Sequence, residues 1–527
     1  MAIERSCLNS LTGIQRVGAD YFMMLTAQVV FVIVTAIGLT WSARLLGPEQ
    51  YGVVVLFFAV TQCLFIIGVK WSFPAVIRFG REALVHSLGN GRVFWGWLPL
   101  FGLSVLGGSL ILLLFSKDLV RLVGLGRNET GFFLWFFILL ALTMATVQFL
   151  QMEGKMRTAA WIPVVSRVCF LGLLGVCIGW MHWPITSQTV ILLSGIALLV
   201  QLLTSLPCLN RRALMRVQIP WELTQAMARY SAPLALGIAG AYLSDWADLY
   251  FLRLWRSHSD VGIYQLSYQA MLFVIGGLNG VSILAFPLLS AWRAEGREDR
   301  LHRYAVRLTP QIVLCWSLVI LTIGLCQEPV LLSLFGPHYS RSAFLFSLLL
   351  IGAAFQGILY LYSPLLFVYD LTRQATGILV LMAGINVLGD FLLIPKLGSL
   401  GAAISTSASF ALGAGYSLYL GNRRLGVRRF VGIVPPTLVA CALLLMMGRG
   451  ILVRGMIFGG IFLSLVWWAR RCRIFTRDDA SLLEQIQLPR QLRALVNLIY
   501  RGLCQERVLE QGTLAVPCKD RQSPVVS

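Results

Sequence analysis

The sequence predicts an all-α membrane protein of about 14 transmembrane helices, with two parallel-related six-helix lobes followed by two extra helices. Three observations predict it. Apolar residues dominate the whole length, apolar runs of about twenty residues succeed one another with short loops between them, and loop features recur at a nearly constant offset.

Apolar residues make up 57% of the 527 and charged residues only 13%, against about 45–50% and about 25% in soluble domains. A surface of that composition needs lipid as its solvent. A span of about 30 Å takes about 20 residues. Runs of that kind fall at 21–43, 52–69, 94–115, 131–150, 158–180, 188–208, 231–252, 262–288, 309–326, 344–368, 377–394, 402–420, 431–448 and 453–469. Arg454 crowds the last of them, so twelve spans is the fallback. No small-residue cleavage pattern follows the first run, which reads as a retained helix.

Orientation follows from Lys and Arg in the loops. With the N-terminus inside, the inside segments hold 22 of the 43 basic residues before the tail and the tail ten more, against ten outside. Both termini are therefore expected in the cytoplasm, at the inner membrane of a bacterium. The net charge of +20 fits anionic lipid headgroups as partners and not nucleic acid, since the chain has no soluble basic module. The eleven cysteines form no CxxC and the five histidines no HxxxH pair, so no metal site is expected.

Arg44-Leu45-Leu46-Gly47-Pro48-Glu49-Gln50-Tyr51-Gly52 closes the first span and opens the second. Arg253-Leu254-Trp255, then Val261-Gly262-Ile263-Tyr264, does so for the seventh and eighth, 209 to 210 positions later. Gly124 and Gly336 are 212 apart, and Arg157 and Arg373 are 216 apart. Six helices separate each pair, so the copies share one orientation, and parallel repeats leave a path between two lobes. The expected divisions are 1–209 and 210–420 for the lobes, 421–470 for two additional helices, and 471–527 for a basic cytoplasmic tail. In that tail Leu492, Leu495, Val496, Ile499 and Leu503 form the stripe of an amphipathic helix that would rest on lipid or dock a partner.

The stretch Ala43 to Gly52 resembles the first-loop signature of the polysaccharide and O-antigen flippases of the multidrug/oligosaccharidyl-lipid/polysaccharide exporter superfamily. Leu334-Phe335-Gly336-Pro337-His338-Tyr339 and the stretch Leu392 to Ala403 resemble two later turns of that family, and the similarity runs over roughly residues 20 to 420. The resemblance implies that the two six-helix lobes form a V. It also implies alternating access and an undecaprenyl-pyrophosphate-linked oligosaccharide as substrate, with other polysaccharide-assembly proteins as further partners. Where the family usually has Asn near the end of helix 11, this chain has Asp390.

Ionisable residues within spans are costly and mark function or pairing. Arg167, deep in the fifth span, is a candidate for binding pyrophosphate through paired N–H donors; an ion pair with another helix is the structural alternative. Asp245 and Asp248, three residues apart on the seventh span, share a face and are candidates for ion coupling. Alternatively, Asp248 pairs with Arg253 or solvent. Arg44 and Arg253, at equivalent repeat positions, either line the outer mouth or anchor the interface. Arg78 either meets an incoming lipid phosphate or is ordinary inside charge. Asp390, just before Pro395, reads as structural.

Together these readings point to a flippase carrying the lipid-linked oligosaccharide from the cytoplasmic to the periplasmic leaflet. No cofactor is expected. With no GxxxxGK[ST] motif, the energy must come from a proton or sodium gradient, the membrane potential or substrate consumption. A cation-coupled multidrug exporter is the first rival. A membrane glycan polymerase or ligase is the second, disfavoured by short outer loops.

Overall fold

The computed structural model of the chain describes residues 2–85, 90–126, 129–180, 183–210, 219–425 and 429–475. Every regular element among them is a helix, because an apolar segment in lipid must close its own backbone hydrogen bonds. The first helix, α1 (Ala2–Cys63), runs through a π turn (Leu64–Val69) and a 3-10 turn (Lys70–Ser72) into α2 (Phe73–Val85). Then come α3 (Asn90–Leu114), the short α4 (Ser116–Val123), α5 (Thr130–Met152), α6 (Met156–Gly179) and α7 (Ser187–Ser205). The second half opens with α8 (Trp221–Trp255) and α9 (His258–Ala294), and α10 (Glu298–Arg303) leads through a π turn into α11 (Thr309–Phe335). It closes with α12 (Ser340–Val368), α13 (Thr372–Leu397), α14 (Ser399–Leu425), α15 (Arg429–Met446) and α16 (Ile451–Arg471).

Ten helical stretches of the described residues are long and apolar enough to cross a bilayer. The first, Thr26–Ala83, has 58 residues. At 1.5 Å per residue it would be about 87 Å long, far more than one hydrocarbon core. Gly47 divides it into two spans. The more polar α8 and α14 and the short α15 supply the rest of the fourteen described segments.

In the first half α1 packs on α6, α6 on α7, α7 on α5, and α5 on α2. In the second, α9 packs on α12, α12 on α14, α14 on α13, and α13 on α8, while α11 and α15 also rest on α12. The apolar window of α12 is 72% buried, the largest share of any candidate span, so this helix is the core of its half. The contacts divide the chain into two compact units, Met1–Ile461 and Phe462–Ser527. Of the second unit, the described part is the end of α16 and the turn to residue 475. The amphipathic stripe expected at 492–503 lies outside the described residues.

Several helices outrun their apolar runs, two of them where the halves meet. The segment expected at 231–252 begins at Trp221, and the one expected at 52–69 continues to Val85. Hydropathy marks only the part of a helix that meets lipid. The extra turns mix charged with buried apolar residues and are held by packing of α8 against α2 and α3.

Candidate functional site

The predicted outer end is closed by the signature turns themselves. Gly47 has φ 71° and ψ 172°, and Gly336 has φ 90° and ψ 171°, a region that only glycine enters without strain. Each is followed by a proline opening the next helix, where a missing N–H leaves no bond unmade. The two turns meet across the halves. The Tyr339 hydroxyl donates to the Ala43 carbonyl at 2.9 Å, and its ring stands edge-on to Tyr51 with centroids 6.5 Å apart.

Two further pairs of contacts are reciprocal. A Cβ on Gly52 would lie 1.9 Å from the His258 carbonyl oxygen, and one on Gly262 would lie 2.1 Å from the Pro48 carbonyl oxygen. Residues 52 and 262 are 210 positions apart, as are 48 and 258. Backbone rests on backbone at both crossings, an approach that only a missing side chain permits. The guanidinium of Arg44 donates to the Ser333 carbonyl at 3.2 Å, in the last turn of α11. Arg253 Nε donates to the Leu122 carbonyl at 2.6 Å, in the last turn of α4. Each half thus supplies a cation to a helix C-terminus of the other, satisfying a carbonyl the helix leaves open. Within the second half Arg256 caps α13 in the same way, through the Pro395 and Lys396 carbonyls at 2.9 and 3.2 Å.

At the predicted inner end the described contacts between halves run through the first turns of α8. The Thr224 hydroxyl donates to the Gly96 carbonyl at 2.8 Å. Tyr230 stands edge-on to Phe79 with centroids 6.1 Å apart, and Arg78 lies 4.4 Å from the Tyr230 ring centroid. Arg78 also pairs with Glu82 at 3.5 Å. Arg44, Arg253 and Arg78 are thus all engaged at the join between the halves.

Asp245 and Asp248 differ in exposure but stay within electrostatic reach of each other. Three residues along a helix turn a side chain by 300°, which leaves about 60° between neighbours. Asp248 is 3% exposed. Asp245 is exposed and makes no hydrogen bond or ion pair among the described residues, with Tyr268 and Tyr360 in electrostatic reach. Asp248 pairs with neither Arg253 nor solvent. Its Oδ1 accepts from the Leu249 N–H at 2.9 Å, and its Oδ2 accepts the Tyr264 hydroxyl.

The carboxylate that Asp248 faces is Asp390 on α13, fully buried. The Ser405 hydroxyl donates to Asp390 Oδ1. One turn earlier on α13, the Asn386 amide donates to Thr406 Oγ1 at 3.1 Å, and the Tyr264 hydroxyl lies 3.2 Å from the same oxygen. Asn386, Ser405 and Thr406 are each at most 4% exposed. Two acceptors in this cluster, Asp390 Oδ2 and Asn386 Oδ1, are buried and have no donor. Asp390, Asn386, Thr406 and Tyr264 are the site residues that sequence reasoning missed; the available signal was an Asn and an Asp one turn apart inside a span. Among the described residues no group of three or more His, Cys, Asp and Glu side chains could hold a metal ion. The cluster offers instead two carboxylates, an amide oxygen and hydroxyls, the donor set of a hard cation.

Arg167 makes no ion pair among the described residues. Its side chain is exposed on α6, with the guanidinium carbon 5.4 Å from the Phe31 ring centroid. Arg454, which crowded the last span, is 6% exposed and pairs with Glu328 on α11.

The family model of the lipid II flippase MurJ matches residues 93–468. A probable low-salt glycan biosynthesis flippase, Agl15, of Haloferax volcanii is 21% identical over 387 residues, covering 71% of this chain and 77% of that protein. Among solved structures, a lipid II flippase MurJ in an inward closed conformation superposes with a TM-score of 0.64 at 12% identity, over 86% of this chain and 99% of that one. An inward-facing multidrug resistance MATE family transporter of the MOP superfamily superposes with a TM-score of 0.60 at 14% identity, over 77% of this chain and 98% of that one.

Proposed function

The chain belongs to the lipid II flippase MurJ family, and on that premise we propose that it carries an undecaprenyl-pyrophosphate-linked saccharide from the cytoplasmic to the outer leaflet, coupled to a sodium ion held between Asp248 and Asp390. The observation that carries the coupling is the pair of donorless acceptors, Asp390 Oδ2 and Asn386 Oδ1, beside a second buried carboxylate. Two facing buried carboxylates with no cation between them are strongly unfavourable. A sodium ion ligated by Asp248, Asn386, Asp390 and Thr406 removes the repulsion and satisfies both open acceptors.

The ion acts through α8. The outer half of this helix carries Asp248 toward α13 and α14, while its inner turns are fixed on α2 and α3. Pro233 lies between and interrupts the hydrogen-bond ladder, which is where a helix bends. Ion binding draws the outer half onto α13 and α14, and release lets it go, so occupancy sets the bend and with it the opening of the inner end. Arg167, exposed and without a carboxylate, takes the pyrophosphate through its fork of N–H donors. That residue favours an anionic cargo over a cationic drug.

The test is flipping of a fluorescent undecaprenyl-pyrophosphate saccharide by purified protein in liposomes, in sodium and in choline. Wild type is expected to flip several-fold faster in sodium. Arg167→Ala should lose flipping in both salts, and Asp390→Asn should keep slow flipping that ignores sodium. A ligand at 100 times its Kd stabilises by about 2.7 kcal/mol, so saturating sodium should raise the Tm of wild type and not of Asp390→Asn. If a proton gradient drives flipping and sodium does nothing, the ion assignment fails and the flippase reading stands. If only organic cations move, the flippase reading fails.

A further inference from the structure

The join between the halves holds a second feature, which the transport cycle above does not use. Below the closed outer end, α1 from the first half and α9, α11 and α12 from the second enclose a crevice of about 390 Å³. Its walls include Leu39, Val274, Ile323, Leu331 and Phe346. Besides the Cys326 thiol, two polar side chains reach it, and neither carries a charge. The Thr40 hydroxyl is given to the Ala36 carbonyl at 2.8 Å, and the Gln327 amide to Ser347. The open side is formed by Val330 and Leu334, which are 48% and 44% exposed. An apolar cavity of about 150 Å³ already holds a benzene ring, so this one has room for a length of aliphatic chain and no charge to hold a phosphate.

A phosphate has a partner directly above. Arg44 follows Thr40 by one helical turn, and its contact, Ser333, is next to Leu334 on the rim. Arg44 is exposed, and the Ser333 carbonyl takes its one hydrogen bond among the described residues, so most of its five N–H donors are uncommitted. A cation at the level of the headgroups over an apolar slot open to the bilayer matches the two ends of an anionic phospholipid.

We propose that the crevice binds an anionic phospholipid of the surrounding bilayer, with its phosphate on Arg44 and one acyl chain between α1 and α11, and that the bound lipid holds the predicted outer end shut. The walls come from both halves, so the crevice exists only while that end is closed. A ligand that binds one state and not the other shifts the population toward it. The same geometry separates this occupant from the transported lipid, whose departure at this end requires the halves to part.

Cys326 lines the crevice and is exposed, and Cys441 on α15 is exposed and lies outside it. The experiment follows alkylation of both thiols by peptide mass spectrometry, using a membrane-soluble maleimide on the full chain in phosphatidylcholine nanodiscs. Adding phosphatidylglycerol should slow alkylation of Cys326 several-fold and leave Cys441 unchanged. Arg44→Gln should abolish the protection, and Arg44→Lys should restore part of it, which separates loss of the phosphate contact from misfolding. The proposal is overturned if phosphatidylglycerol gives no protection, or if Arg44→Gln is protected as well as wild type. It is also overturned if undecaprenyl phosphate protects Cys326 where phosphatidylglycerol does not, since the crevice would then belong to the transported lipid's chain.

Discussion

At the predicted outer end the halves meet through reciprocal contacts of backbone on backbone, whereas at the predicted inner end they meet through one helix, α8, laid on α2 and α3 by side chains. The two constructions respond differently to motion. A carbonyl pressed on a glycine Cα is either in place or lost, because neither partner has rotamers with which to follow a shift. A tyrosine ring between Arg78 and Phe79 can tilt and slide at modest cost. The inner end is thus built to yield gradually, and the outer end to switch.

The comparison breaks most directly at the glycines. Gly52→Val and Gly262→Val each push a side chain into a backbone carbonyl that cannot move aside. Overpacking of this kind costs about 1–3 kcal/mol, a shift of roughly 5- to 150-fold in the closed population. Spin labels at Leu45→Cys and Leu334→Cys, on either side of the join, should report longer distances in both variants. Equal effects are expected from the two, and a silent Gly52→Val would show that the crossings are not equivalent.

Next in size are the capping arginines. Arg253 is partly buried and holds Leu122 at 2.6 Å, whereas Arg44 is exposed and its bond is 3.2 Å. A hydrogen bond to a charged group is worth about 1.5–3 kcal/mol when buried and much less when exposed. Arg253→Gln should therefore lower the Tm measured in detergent by clearly more than Arg44→Gln. Equal shifts would mean that reciprocity of sequence extends to energy. The smallest effect is expected at the inner end. Tyr230→Leu removes a cation–aromatic contact worth about 0.5–1 kcal/mol. Its signature should be faster hydrogen exchange over 221–230, with little change in Tm.

The long apolar helices were legible in the sequence because lipid leaves the backbone no alternative, and the Gly-Pro pairs at 47–48 and 336–337 announced their turns. The ends of α8 and α2 were not legible, since charged residues such as Arg229 and Glu82 break the apolar runs there. The candidate site was read halfway. Asp248 stands out as a charge in a span, and Asp245 as its neighbour on the same helix, because a single helix displays only its own residues. Asp390, the facing carboxylate, lies 142 positions away on another helix. That meeting depends on how α8, α13 and α14 pack. Arg167 was legible as a deep cation; the absence of a carboxylate opposite it among the described residues was not.

The paired crossings at Gly52 and Gly262 have the form of an interface between two identical subunits, in which one residue meets a second and the second's counterpart meets the first's. In a symmetric dimer every substitution at such a contact is made twice, so the interface cannot acquire a role on one side alone. Within a single chain that restriction is gone. The position 210 residues before Asp248 is Gly38, which has no carboxylate to offer. The crossings are paired between the halves while the buried carboxylate is not, so this chain combines a symmetric contact with a one-sided charge.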